Sequence, residues 1–163
     1  MTDTGKKIIG RAELVSLPEH GFERVPARID TGAKTSAVWA SSVVRHADRL
    51  DVVFFGPESH WYTGKPVAFD SFEETIVASS NGHAEKRYKV RALVKIAGKK
   101  VRASFTLADR STQVYPVLIG RNVLTGKFVV DVKRGHPLRD AEQQRTEALQ
   151  TRLDQPDPKE EQS

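Results

Sequence analysis

Asp30, Thr31 and Gly32 are the residues whose types and spacing best suit chemistry in this chain. The run from Val25 to Ile29 reads as a strand and ends directly on the Asp30 carboxylate. Thr31, Gly32 and Ala33 follow at once. Glycine permits φ > 0 and close backbone approach, and Thr31 can hydrogen-bond locally to brace the turn. A carboxylate held at a strand tip suits general acid–base work on water if a second carboxylate stands beside it. The same tripeptide is also ordinary turn chemistry. A second stretch tips the balance towards function. Val117-Leu118-Ile119-Gly120-Arg121-Asn122-Val123-Leu124 is another apolar strand running into glycine, a polar pair and a short apolar turn of helix.

Asp30-Thr31-Gly32-Ala33 followed by Leu118–Leu124 resembles the paired signatures of retropepsin-like aspartic proteases. The closer similarity is to a bacterial and archaeal branch of that fold that carries the label ATP-dependent zinc protease. It covers about residues 8–135 and includes ARIDTGAKTSAVWA (27–40), SSNGHAE (79–85), FTLADR (105–110) and VLIGRNVLTGKFVVD (117–131). The order of these four stretches makes the family match specific.

The resemblance implies an all-β, closed retropepsin-like barrel with a flap hairpin and one short helix. It implies a catalytic turn of Asp30, Thr31 and Gly32. Ala33, Lys34, Ser80, Asn81, Gly82 and Arg121 then become candidates for substrate binding. Asn81-Gly82 between strand-like runs is also a strong hairpin signal in its own right, and a hairpin placed there can close over a cleft. Retroviral members carry acidic residues directly after Asp-Thr-Gly-Ala that pair with the downstream arginine. Here Lys34 and Thr35 stand in those positions, so Arg121 lacks that partner. Lys34 near a cleft favours an acidic or C-terminal carboxylate ligand. Family members are often encoded near ATP-grasp peptide ligases, which implies a role in trimming or regulating acidic tails.

The aspartic mechanism needs two carboxylates facing one water, only one of them ionised. This chain has a single Asp-Thr-Gly. Asp131 lacks the Thr-Gly turn, and Asp109 is expected to pair with Arg110. The second acid must therefore come from a second copy across a two-fold axis, the commonest closed arrangement. By analogy with the family, the terminal strands (8–17 and 128–132) are the interface candidates.

The rival reading is a non-catalytic module that holds a peptide or an ATP-grasp ligase without cutting. A third, nucleic-acid binding by a basic body, is disfavoured. The net charge of +5 divides unevenly. Four basic and seven acidic residues in 137–163 leave +8 on residues 1–136. The alternation of basic and apolar residues in 86–91 is what a strand with one face in water looks like.

No cysteine is present, which excludes disulfides and thiolate metal sites. The histidines (20, 46, 60, 83 and 136) are scattered without a His-Glu-x-x-His. His83 and Glu85 form a weak metal signal, so neither a metal nor any other cofactor is expected and a zinc peptidase is disfavoured. No apolar run suits a signal peptide or a membrane span. A cytoplasmic location fits.

Three regions are expected: a flexible start (1–7), the retropepsin-like domain (8–135) and a charged tail (136–163) that is marginally helical and then disordered. Strands are expected over 8–17, 22–30, 50–55, 72–79, 84–96, 101–107, 114–119 and 128–132, with Trp39 in the core. The 56–70 loop, with His60, Trp61 and Tyr62, is expected to cap the barrel rather than grip a ligand.

Overall fold

The computed structural model describes residues 5–78 and 82–155. In chain order its strands are β1 (Lys7–Ile9), β2 (Ala12–Leu17), β3 (Phe22–Ile29), β4 (Ser36–His46), β5 (Arg49–Phe54), β6 (Val67–Phe69), β7 (Glu73–Ala78), β8 (Ala84–Ile96), β9 (Lys99–Ala108), β10 (Val117–Ile119) and β11 (Phe128–Val130). Helix α1 spans Arg121–Leu124 and helix α2 spans Arg139–Leu153.

Period-2 alternation explains why these segments close on themselves. In β8, Val90, Ala92, Val94 and Ile96 are buried while Arg91 and Lys95 are exposed; in β9, Val101, Ala103 and Phe105 are buried around exposed Arg102. One face of each strand must leave water, and a sheet rolled into a barrel buries that face without leaving free edges. The ring runs β10–β3–β2–β8–β9–β4, and β4 returns to β10. The result is a closed, six-stranded barrel. Phe105, Val15, Val25, Val94, Val117 and Ile119 are fully buried in its core.

Two parts of the barrel matter for the site. β3 and β10 run parallel, with Ala27 opposite Val117 and Ile29 opposite Ile119. β7 and β8 form the expected hairpin, paired from Glu73 with Lys89 to Ala78 with Ala84. The tip, with Ser80 and Asn81, lies outside the described residues; Gly82 takes a left-handed φ of 81°.

Several expectations change. The first strand is two strands, because β1 leaves the barrel to pair in parallel with β11. Trp39 is half-buried and packs against the core rather than inside the barrel, because its neighbours Val38 and Ala40 take the inward positions of the pleat. The 56–70 segment does cap the core, with the Trp61 indole N–H donating to the Glu23 carbonyl at 3.0 Å. It also contributes β6, paired with β5. The tail forms helix α2 over Arg139–Leu153. It buries no residue, and Leu149 and Leu153 are 43% and 80% exposed.

Candidate functional site

The two signature turns, about ninety residues apart in sequence, lie side by side. The Asp30 N–H extends the β3–β10 ladder to the Ile119 carbonyl at 2.8 Å. The chain then folds back: the Ala33 N–H donates to the Asp30 carbonyl at 3.2 Å, and the Gly32 N–H donates to Asp30 Oδ1 at 3.0 Å. This is an aspartate turn, in which the side chain copies a backbone acceptor. It commits one carboxylate oxygen and leaves Oδ2 without a hydrogen bond among the described residues. Asp30 is half-buried, and Thr31 and Gly32 are exposed.

Gly32 does not take a positive φ. Its need is spatial: an added Cβ would sit 3.3 Å from Asp30 Oδ1 and press on the carboxylate. The Thr31 hydroxyl makes no hydrogen bond among the described residues, so it does not brace the turn within one chain. Arg121 does that instead. Its Nη1 donates to the carbonyls of Thr31 at 3.2 Å and Gly32 at 2.9 Å. The arginine that lacks an acidic partner by sequence therefore finds backbone oxygens.

The second turn is locked to the first from below. Arg121 N–H donates to the Ala33 carbonyl at 2.8 Å and Asn122 N–H to the Lys34 carbonyl at 3.2 Å. Gly120 is required by close approach, because a Cβ there would overlap the Thr35 carbonyl. Fully buried Ser36 completes the lock. Its hydroxyl accepts from the Gly120 N–H at 2.9 Å and donates to Asn122 Oδ1 at 2.7 Å. Asn122 Nδ2 in turn donates to the Ser104 carbonyl at 2.9 Å. Sequence reasoning missed Ser36 and Asn122 as anchors. The available signal was a polar residue at an inward position of β4.

Asp30, Thr31, Gly32, Ala33 and Arg121 thus meet in one hydrogen-bonded unit. Lys34 is exposed beside it. Gly82 belongs to the β7–β8 connection. The other acids are occupied elsewhere. Asp109 accepts from the Ser111 N–H at 2.9 Å, which holds its pKa below the usual value, and it does not pair with Arg110 as expected. Arg110 Nε donates to the Tyr115 carbonyl at 2.9 Å. Asp131 accepts from the Lys133 N–H at 3.0 Å and lies 3.5 Å from Arg134. Among the described residues no group of three or more His, Asp or Glu side chains could hold a metal. No helix among them is long and apolar enough to cross a membrane.

Residues 8–136 match a family model described as RimB-like, retropepsin-like aspartic endopeptidase RimB. Proteins named "Probable alpha-L-glutamate ligase" are similar over most of this chain. The one from Parasynechococcus marenigrum is 29% identical over 158 residues, covering 90% of this chain and 32% of that protein. The one from Desulfotalea psychrophila is 30% identical over 140 residues, covering 79% and 29%. The chain therefore spans about a third of the length of these relatives. A crystal structure of a Legionella pneumophila protein of unknown function shares the fold, with a TM-score of 0.59 and 21% identity, covering 79% of this chain and 95% of that one.

Proposed function

The chain belongs to the RimB-like family of retropepsin-like aspartic endopeptidases, and from that membership we propose a homodimeric aspartic peptidase with Asp30 as its catalytic acid. The observation that carries the reading is the Asp30 turn, held at a strand tip by Ile119, Gly32 and Arg121 with one carboxylate oxygen unengaged. One such carboxylate per chain calls for a partner copy. In the dimer two Asp30 side chains flank one water. Repulsion keeps one protonated while the other stays ionised. The ionised acid takes a proton from water as it attacks the peptide carbon. The protonated one donates to the carbonyl oxygen, and a proton then passes to the leaving amine. Thr31, exposed and without a side-chain hydrogen bond among the described residues, braces the pair across the axis.

The β1–β11 sheet supports the dimer. It has only two strands, which is marginal alone. Ile8 and Val129 are register partners on it and are 52% and 49% exposed, and Val132 beyond it is 72% exposed. Such a cluster suits burial against its own symmetry copy. The β7–β8 hairpin would close over the cleft, Ser80, Asn81 and Gly82 are the candidates to meet substrate from that side, and Ala33 and Lys34 would line the floor with Arg121 behind them. A cytoplasmic site of action accompanies this reading.

The test is cleavage of a peptide library by the wild-type chain and by Asp30→Asn, with the mass in solution measured for both. A dimer that cuts only with Asp30 intact supports the peptidase. A second reading is a non-catalytic partner of an ATP-grasp ligase, favoured by one observation: sequences like this one form part of proteins named as glutamate ligases. It predicts a wild-type protein that cuts no peptide between acid and neutral pH yet binds peptide or ligase.

A further inference from the structure

Helix α2 buries no residue, and it faces β3 and the 110–115 loop across a cavity of about 390 Å³. It is tied there by the two-pronged Arg11–Glu142 pair at 2.7 and 2.9 Å and, just before its first turn, by the Leu138 N–H on the Tyr115 hydroxyl at 2.9 Å. Asp30 does not line this cavity.

Its walls are one-sided in charge. Arg11, Arg28, Arg110 and Arg145 line it, and Glu142, the one acid among them, is already held by Arg11. Arg28, Arg110 and Arg145 have no carboxylate partner among the described residues. Arg110 donates its Nε–H to the Tyr115 carbonyl at 2.9 Å, and its two terminal nitrogens make no hydrogen bond among those residues. Arg110 is also half-buried, and burial, followed by the charge of Arg28, lowers its pKa. Like charges gathered in a half-buried place cost stability unless an anion joins them. Three guanidiniums offer more donors than the two oxygens of one carboxylate can use. A phosphate group brings up to about two charges and three strong acceptor oxygens, and the forked guanidinium matches it. We infer that this cavity binds the phosphate groups of a small molecule, held by Arg28 from β3, Arg110 from the loop and Arg145 from α2.

The volume falls in the range of small-molecule sites, about 300–1,000 Å³. Single-stranded nucleic acid fits the walls less well, because it needs a charged track and exposed aromatic faces for stacking. The one aromatic side chain in the lining, Tyr115, is 5% exposed. The three arginines stand on three different elements, so a ligand that bridges them pins α2 to the barrel. The site is therefore an effector site that fixes the tail helix, and it does not depend on the peptidase reading.

The experiment is calorimetric titration of the full chain with inorganic diphosphate in metal-free buffer of fixed ionic strength, with citrate as a carboxylate of comparable charge. Diphosphate is expected to bind once per chain and more tightly than citrate. Arg28→Gln and Arg145→Gln, each checked by thermal melting, should each weaken it about tenfold or more, the loss of one charge-assisted contact. Bound diphosphate should also raise the amide protection of residues 139–153 in the wild type and fail to do so in the Arg145→Gln chain. No saturable binding at millimolar diphosphate overturns the site, as does affinity that survives both substitutions together. Citrate bound as tightly as diphosphate overturns the phosphate assignment. A single-stranded oligonucleotide bound more tightly than diphosphate through the same arginines overturns the small-molecule assignment.

Discussion

At the scale of single residues, the site is a set of oxygens and N–H groups whose partners decide their roles. Asp30 has one oxygen fixed by Gly32 and one unengaged, the state in which a carboxylate can act on water. Replacing it with asparagine keeps the turn acceptor and removes the base. Loss of cleavage by about 10²–10⁴-fold is expected, measured as kcat/KM with the folded state checked by circular dichroism. Ser36 matters in a different way. Its hydroxyl satisfies the buried Gly120 N–H, so Ser36→Ala leaves a buried donor without its acceptor. A stability loss of about 1–3 kcal/mol is expected from denaturant unfolding, together with weaker activity, because the two turns lose their link.

At the scale of elements, two docked segments should respond to acid in separate windows. Helix α2 buries no residue and is held by Arg11–Glu142 and the Tyr115 hydroxyl. The hydrogen bond to Arg11 is the largest cause holding Glu142 below its ordinary value of 4.5. A carboxylate with a lowered folded pKa adds stability above its ordinary value and loses it as pH falls through the lowered one. Screening at this part-exposed pair limits the contribution to about 1 kcal/mol. The protection of amides 139–153, measured against the exchange of unstructured peptide at the same pH, should therefore fall below pH 4.5, and Glu142→Gln should lower it at neutral pH.

The turn at Pro18–His20 behaves similarly at higher pH. His20 packs on Phe54 and Phe69 with ring centroids 5.4 Å away, and its Nε2 is buried without a hydrogen-bond partner among the described residues. Burial lowers its pKa from 6.5, against a smaller opposing effect of Glu19. The stability it supports is complete above 6.5 and is lost as pH falls through the lowered value, because the unfolded chain takes up the proton first. His20→Leu should flatten that part of a stability-versus-pH curve.

At the scale of the whole molecule, the question is how many chains make one working unit. The closed barrel leaves the β1–β11 ribbon outside its ring, with Ile8 and Val129 on view. Ile8→Glu places a charge where the dimer would exclude water. The mass in solution should fall to that of one chain and cleavage should disappear together, while the melting of the barrel itself, away from this ribbon, changes little. A monomeric wild type, or a monomeric variant that still cuts, contradicts a shared active site.

Much of this protein was legible before any coordinates. Alternation of basic and apolar residues in 86–91 marked a strand with one face in water, because pleat direction is a local property, while the closed barrel was implied by the family resemblance. Asp30-Thr31-Gly32 and Ile119-Gly120-Arg121-Asn122 marked the two turns, because strand ends and glycines leave short-range signatures. What tertiary structure alone decided was partnership. Arg121 on the turn carbonyls, Ser36 under Gly120, β1 leaving the barrel for β11, and Arg28, Arg110 and Arg145 gathered at one cavity all join residues far apart in sequence. A charged or polar side chain looks the same on any exposed strand face. Only closure of the ring, which sets register and neighbours together, determines which of them meet.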